Sequence, residues 1–91
     1  MEDQEYKELV ESYGGQAVGL SHNPSGLVAV QVMKQQYAEI INDLNQSRID
    51  IQTKEVKGVD DGEKIRLLSI AITEAQSAQM WAVKAITWGQ N

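Results

Sequence analysis

The polar chemistry of this chain is concentrated in Ser21-His22-Asn23-Pro24-Ser25-Gly26 and, further on, in Lys34. The segment offers a flat ring, an amide, hydroxyls and a glycine just ahead of a helix-start signal. Asn is a favoured N-cap and Pro suits the first helical position; Ser25 is an alternative cap. A helix N-terminus presents free N–H groups and a partial positive charge, both of which favour phosphate. Lys34 lies further along the same predicted helix and supplies a full charge. In that arrangement His22 stacks on a base, and Asn23 or Ser25 reads base edges or ribose. The same residues also read as an ordinary cap, with His22 solvated and Lys34 on the surface. Residue types alone favour this plainer reading.

Arg66 and Lys84 raise the same question on a later helix, where they share a polar face with Ser69, Thr73, Ser77 and Met80. Several copies of that face brought together would focus cations on an anion; a single copy leaves it solvated. Catalysis finds little support. A nucleophile needs an adjacent base, and the one His, His22, is near Ser21 and Ser25 in sequence only. Asp60, Asp61 and Glu63 are ligand types for a hard cation, yet an acidic helix start is the commoner explanation. The expectation is a protein that is not an enzyme and carries no metal and no cofactor.

The chain has 91 residues, enough for one domain. Domains this small are marginally stable unless disulfides, a metal or partner subunits help. With Cys at 0 and His at 1, oligomerisation is the remaining route. Acidic residues number 13 against 8 basic, a net charge of −5. That balance excludes a protein that coats DNA or RNA, which needs a broad basic surface. No apolar run approaches the ~20 residues of a membrane span. Met1-Glu2-Asp3-Gln4-Glu5 is acidic where a secretory signal is basic, so the default location is cytoplasmic.

Helical periodicity supplies the elements. Tyr6, Leu9, Val10 and Tyr13 predict a short acidic helix that Gly14 and Gly15 stop. Gln16 to His22 reads as a connector. From Asn23 the apolar stripe Val30, Met33, Tyr37, Ile40 and Leu44, broadened by Val32 and Ile41, predicts a helix ending near Asn45 or Ser47. Arg48 to Val59 reads as a loop or a ragged helix extension. Asp60, with Glu63 reaching back in a capping box, predicts the next start. The last helix carries two stripes. Ile65, Leu68, Ile72, Ala75, Gln79, Ala82 and Ile86 form one; Leu67, Ala71, Glu74, Ala78, Trp81, Ala85 and Trp88 form the other. The first packs on the preceding helix, and the second needs another neighbour. The expected fold is all-α: residues 1–20 as a short acidic helix and connector, and residues 21–91 as a long antiparallel helical hairpin. It assembles as a homo-oligomer through Leu67, Ala71, Ala78, Trp81, Ala85 and Trp88.

The stretch from Glu63 to Ala75, with Met80-Trp81-Ala82-Val83-Lys84-Ala85-Ile86, resembles the C-terminal helix of a family of small phage proteins. These carry the hairpin domain shared by anti-CBASS and Thoeris anti-defence sponges. Asn23-Pro24-Ser25-Gly26 and Val32-Met33-Lys34 are similar to the start of that family's first hairpin helix. The resemblance covers about Ser21 to Trp88. It implies a compact homo-oligomer, commonly a hexamer, in the cytoplasm of the infected bacterium. There it would sequester cyclic oligonucleotide messengers of bacterial immunity without cleaving them. It further implies a lysine that meets phosphate, matched by Lys34, and an aromatic stacking residue, for which His22 is the nearest substitute. A second pocket for cyclic trinucleotides would use Arg66, near Ser69. The Thoeris branch implies a cyclic ADP-ribose isomer as an alternative ligand. A hairpin that docks a partner protein, with no small ligand, is a further alternative.

Overall fold

A computed structural model describes residues 3–90; Met1, Glu2 and Asn91 lie outside them. Four helices follow one another: α1 (Asp3–Glu11), α2 (Tyr13–Ala17), α3 (Val28–Thr53) and α4 (Asp61–Ile86). The two 26-residue helices α3 and α4 form the antiparallel hairpin, and no strand occurs among the described residues. The molecule measures 51 × 29 × 14 Å, so it is little more than one helix thick. Val18, Leu20, Ala38, Ile41 and Ile72 form the core, with Tyr6, Leu9, Tyr37, Leu44 and Ala75 packed around it. Residues ahead of the hairpin therefore share its core. Among the described residues no helix is long and apolar enough to cross a membrane.

Gly14 and Gly15 do not stop the first helix. Both are buried within α2, where a backbone without Cβ is needed for close approach. A Cβ on Gly14 would stand 2.0 Å from the Ala38 carbonyl oxygen, and one on Gly15 would stand 1.9 Å from that of Leu9. The break falls instead at Ser12, the N-cap of α2. Its hydroxyl donates to Leu9 O at 2.6 Å and accepts from Gly15 N at 3.1 Å and Asn42 Nδ2 at 2.9 Å. Val18 and Leu20, read as connector, are core residues.

The buried stripe of α3 is Val30, Lys34, Ala38 and Ile41. This corrects the expected stripe: Ile40 and Val32 are 48% and 44% exposed, while Met33, Tyr37 and Leu44 flank the interface half-buried. The face rotates because Ala38 is where Gly14 approaches, which sets Ile41 rather than Ile40 inward. The helix also runs past Ser47 to Thr53. Arg48 ties this extension down by donating to Asn45 Oδ1 at 2.8 Å and, across the hairpin, to Ser69 Oγ at 3.0 Å. Lys57 then closes it, its ammonium donating to the carbonyls of Ile51, Gln52 and Lys54. A cation at that end satisfies orphan carbonyls and opposes the helix dipole.

The expected capping box at Asp60 and Glu63 does not form. Asp60 is the N-cap residue but makes no side-chain cap bond, and Glu63 pairs with Arg66. The neighbouring Asp61 holds the turn: it is buried, accepts from Gly58 N and pairs with Lys54 Nζ at 2.8 Å. The bond from Lys54 is the largest influence, followed by the Gly58 amide, and together they hold the carboxyl below its ordinary 3.8. A lowered carboxyl pKa stabilises the fold above the unfolded value and ceases to do so as pH falls through the folded one. Asp61→Asn should therefore lower the thermal midpoint at pH 7, and the gap from wild type should close below about pH 4. Thermal melts of both proteins across that range check it.

On α4 the first stripe packs as expected: Ile72 and Gln79 are buried and Ile65, Leu68, Ala75, Ala82 and Ile86 are half-buried. The second stripe is largely uncovered in the single chain. Leu67, Trp81 and Trp88 are 50%, 68% and 77% exposed; Ala78 and Ala85 are exposed beside them and Ala71 is half-buried.

Candidate functional site

The Asn23-Pro24-Ser25-Gly26 segment is a turn rather than a helix start. Gly26 N donates to Asn23 O at 3.1 Å, and Gly26 has φ +70°, a conformation that glycine adopts without cost. Asn23 Nδ2 donates to Leu27 O at 3.0 Å, Ser25 Oγ donates to Asn23 Oδ1 at 2.7 Å, and Leu27 N donates to Ser25 Oγ at 3.2 Å. Neither Asn23 nor Ser25 is the N-cap. That residue is Leu27, which has no side-chain cap bond, so α3 begins at Val28. The polar side chains of the segment build the turn by bonding one another.

Lys34 is not on the surface; it is 7% exposed. Its Nζ donates to Gly19 O at 3.2 Å and to His22 O, tying the chain ahead of the turn to α3. Burial pushes the ammonium below its ordinary 10.5, because removal from water penalises the charged form. An ammonium has three donors, so two carbonyls leave one N–H for another acceptor.

The turn, α3 and the far end of α4 enclose an open cavity of about 670 Å³, inside the roughly 300–1,000 Å³ range of ligand pockets. The turn contributes Asn23, Pro24 and Ser25, and α3 contributes Val30 and Lys34. The opposite wall is Val83, Thr87 and Gln90. Sequence reasoning missed this wall, since it lies some fifty residues further on and is brought in by the antiparallel return of α4. Of the residues singled out by sequence, Asn23, Ser25 and Lys34 line the cavity. His22 and Gly26 are exposed beside it and do not line it.

Arg66 and Ser69 stand apart from that cavity. Arg66 is exposed and grips Glu63 with two bonds, Nε to Oε1 at 3.0 Å and Nη2 to Oε2 at 2.6 Å. Each partner favours the charge of the other, raising the Arg66 pKa and lowering that of Glu63. Ser69 turns towards α3, donating to Ile65 O at 2.9 Å and accepting from Arg48. Among the described residues no group of three or more His, Asp or Glu side chains converges as a metal site would require.

A family model described as "Acb2/Tad1, hairpin domain" matches residues 15–87. No curated protein and no solved structure matches. The matched span begins inside α2 and takes in the turn, both long helices and every lining residue of the cavity except Gln90. The chain belongs to the Acb2/Tad1 hairpin family, and membership implies phage anti-defence sponge activity towards cyclic nucleotides.

Proposed function

We propose that this protein binds cyclic oligonucleotide messengers of CBASS signalling in the cytoplasm of the infected host and sequesters them without cleavage. The observation that carries the reading is the buried ammonium of Lys34 on a cavity of ligand size. Burying a charge is costly, and here the two carbonyl bonds leave one N–H for a phosphate oxygen. His22, whose carbonyl Lys34 holds, stacks on a base beside the cavity, Asn23 and Ser25 form its rim, and Gly26 shapes the turn that carries them. A cyclic dinucleotide carries two negative charges, which two Lys34 side chains neutralise when copies meet across a twofold axis. The seam of exposed Leu67, Ala78, Trp81, Ala85 and Trp88 with half-buried Ala71 is the surface that joins those copies into a homo-oligomer, a hexamer.

Titration calorimetry with cyclic dinucleotides, cyclic trinucleotides and cyclic ADP-ribose isomers tests the proposal. Heat with an oligonucleotide, and its recovery intact after denaturation, supports it. Heat only with an ADP-ribose isomer moves the ligand to Thoeris signalling, and no heat with any defeats both. The uncovered seam favours one alternative, a hairpin that docks a partner helix. Light scattering separates them, since that alternative requires a monomer.

Arg66, with Ser69 nearby, is the proposed second pocket for trinucleotides. Binding there requires the guanidinium to exchange Glu63 for phosphate. Arg66→Ala should weaken a cyclic trinucleotide about tenfold or more, the value of a charge-assisted bond, and leave dinucleotide affinity unchanged. Paired titrations of the variant and wild type check it.

A further inference from the structure

The cavity has two chemically different ends. One holds the Lys34 ammonium. The other is the C-terminal end of α4, where the helix dipole is negative and where Val83, Thr87 and Gln90 form the wall. Thr87 Oγ1 donates its proton to Val83 O at 2.9 Å, so towards the cavity the hydroxyl is an acceptor. A turn from Thr87 O to Gln90 N, 3.0 Å long, brings the Gln90 amide to the same wall, adding one acceptor and a donor group. Val83, with Val30 and Pro24 across the cavity, gives apolar surface for a ring face. Lys84 in the last turn of α4 offsets that dipole, so the two ends differ in their bonding groups. The Lys34 ammonium takes an anion, and the acceptors and apolar surface of this wall suit a flat ring bearing an exocyclic amino group.

We infer that Val83, Thr87 and Gln90 form a base-reading subsite that takes adenine while the attached phosphate lies at Lys34. Gln90 makes the bidentate pair with adenine N6 and N7 that amide side chains make. Thr87 Oγ1 accepts the second N6 proton. The turn residues Asn23 and Ser25, whose polar atoms bond one another, shape the opposite rim. This inference rests on the proposed sequestration of cyclic oligonucleotides and adds the identity of the base.

The test uses two probes, cyclic di-AMP and cyclic di-IMP, which differ in the amino group at C6. Wild type should bind cyclic di-AMP about tenfold more tightly, the discrimination of one bidentate pair. Gln90→Ala should erase that preference by weakening cyclic di-AMP about tenfold, with cyclic di-IMP changed by less than about twofold. Thr87→Val should move affinity in the same direction. Equal affinity of wild type for the two probes, or variants that weaken both alike or neither, overturns the adenine subsite while sequestration stands. If wild type binds neither probe nor any other cyclic oligonucleotide, both readings fall together.

Discussion

Gly14→Ala is expected to lower the thermal midpoint by about 12–24 °C, the equivalent of ~3 kcal/mol in a domain of this size. The new methyl would meet the Ala38 carbonyl oxygen at 2.0 Å and Asn42 Oδ1 at 2.9 Å. The nearest atoms belong to the Ala38 backbone, which cannot swing aside as the Asn42 side chain can, so α2 has to lift from α3. That movement breaks the 2.7 Å bond from Gly14 N to Asn42 Oδ1 and separates Asn42 Nδ2 from the Ser12 hydroxyl. It also withdraws Val18 and Leu20, which follow α2 directly, from Ile41 and Ile72. Gly62, in the first turn of α4 with nothing within 4 Å of its own Cβ position, is the control. Gly62→Ala should raise stability by up to about 0.5–1 kcal/mol through helix propensity. Melts of the two variants at one pH separate a glycine required by close packing from one that is merely tolerated. A Gly14→Ala protein as stable as wild type would mean that α2 does not sit against α3 as described.

That contrast shows which parts of the molecule sequence could yield. The hairpin and the buried seam of α4 follow from periodicity over seven turns, a signal too long to arise by local accident, and Ile72 and Gln79 lie inward as the spacing requires. The second seam, with Trp81 and Trp88, was legible as apolar and unpartnered for the same reason. The two glycines were not legible, because a glycine that ends a helix and one that lets two backbones touch are the same letter. The start of α3 was missed because Asn23-Pro24-Ser25-Gly26 satisfies the residue preferences of a cap and of a turn equally. Only the Gly26 backbone, at φ +70°, decides between them. At α4 two adjacent aspartates competed for one role, and the pairing of Asp61 with Lys54 depends on a contact across the loop. At the candidate site the near rim was legible and the far wall was not. Val83, Thr87 and Gln90 carry no motif, and they join Lys34 only through the antiparallel course of the helices.

Lys34→Met should abolish most ligand binding while leaving the fold nearly intact, a combination that a merely structural lysine would not give. Methionine keeps the apolar stem and removes the ammonium. Of the two carbonyls that lose a donor, Gly19 O still accepts from His22 N at 2.9 Å, and His22 is exposed, so water replaces the other bond. Relief from holding a charge out of water offsets that loss. The thermal midpoint should therefore move by less than about 4–8 °C, or ~1 kcal/mol. Binding is a different matter on the proposed reading, in which a ligand phosphate loses a charge-assisted partner in a partly desolvated site. Losses of ~2–5 kcal/mol are usual for such a truncation, and about 100-fold weaker binding of a cyclic dinucleotide is the expectation. The pH dependence adds an independent mark. On the proposed reading the protonated form binds phosphate, and burial lowers the Lys34 pKa, so wild-type affinity should fall at a pH below the ordinary 10.5 of lysine. The residual affinity of Lys34→Met should not share that fall. Calorimetry of both proteins through the alkaline range, on samples shown by light scattering to have the same mass, reads both effects. Binding within about twofold of wild type, or an identical alkaline profile, would remove Lys34 from the phosphate and leave it only the task of fastening Gly19 and His22 to α3.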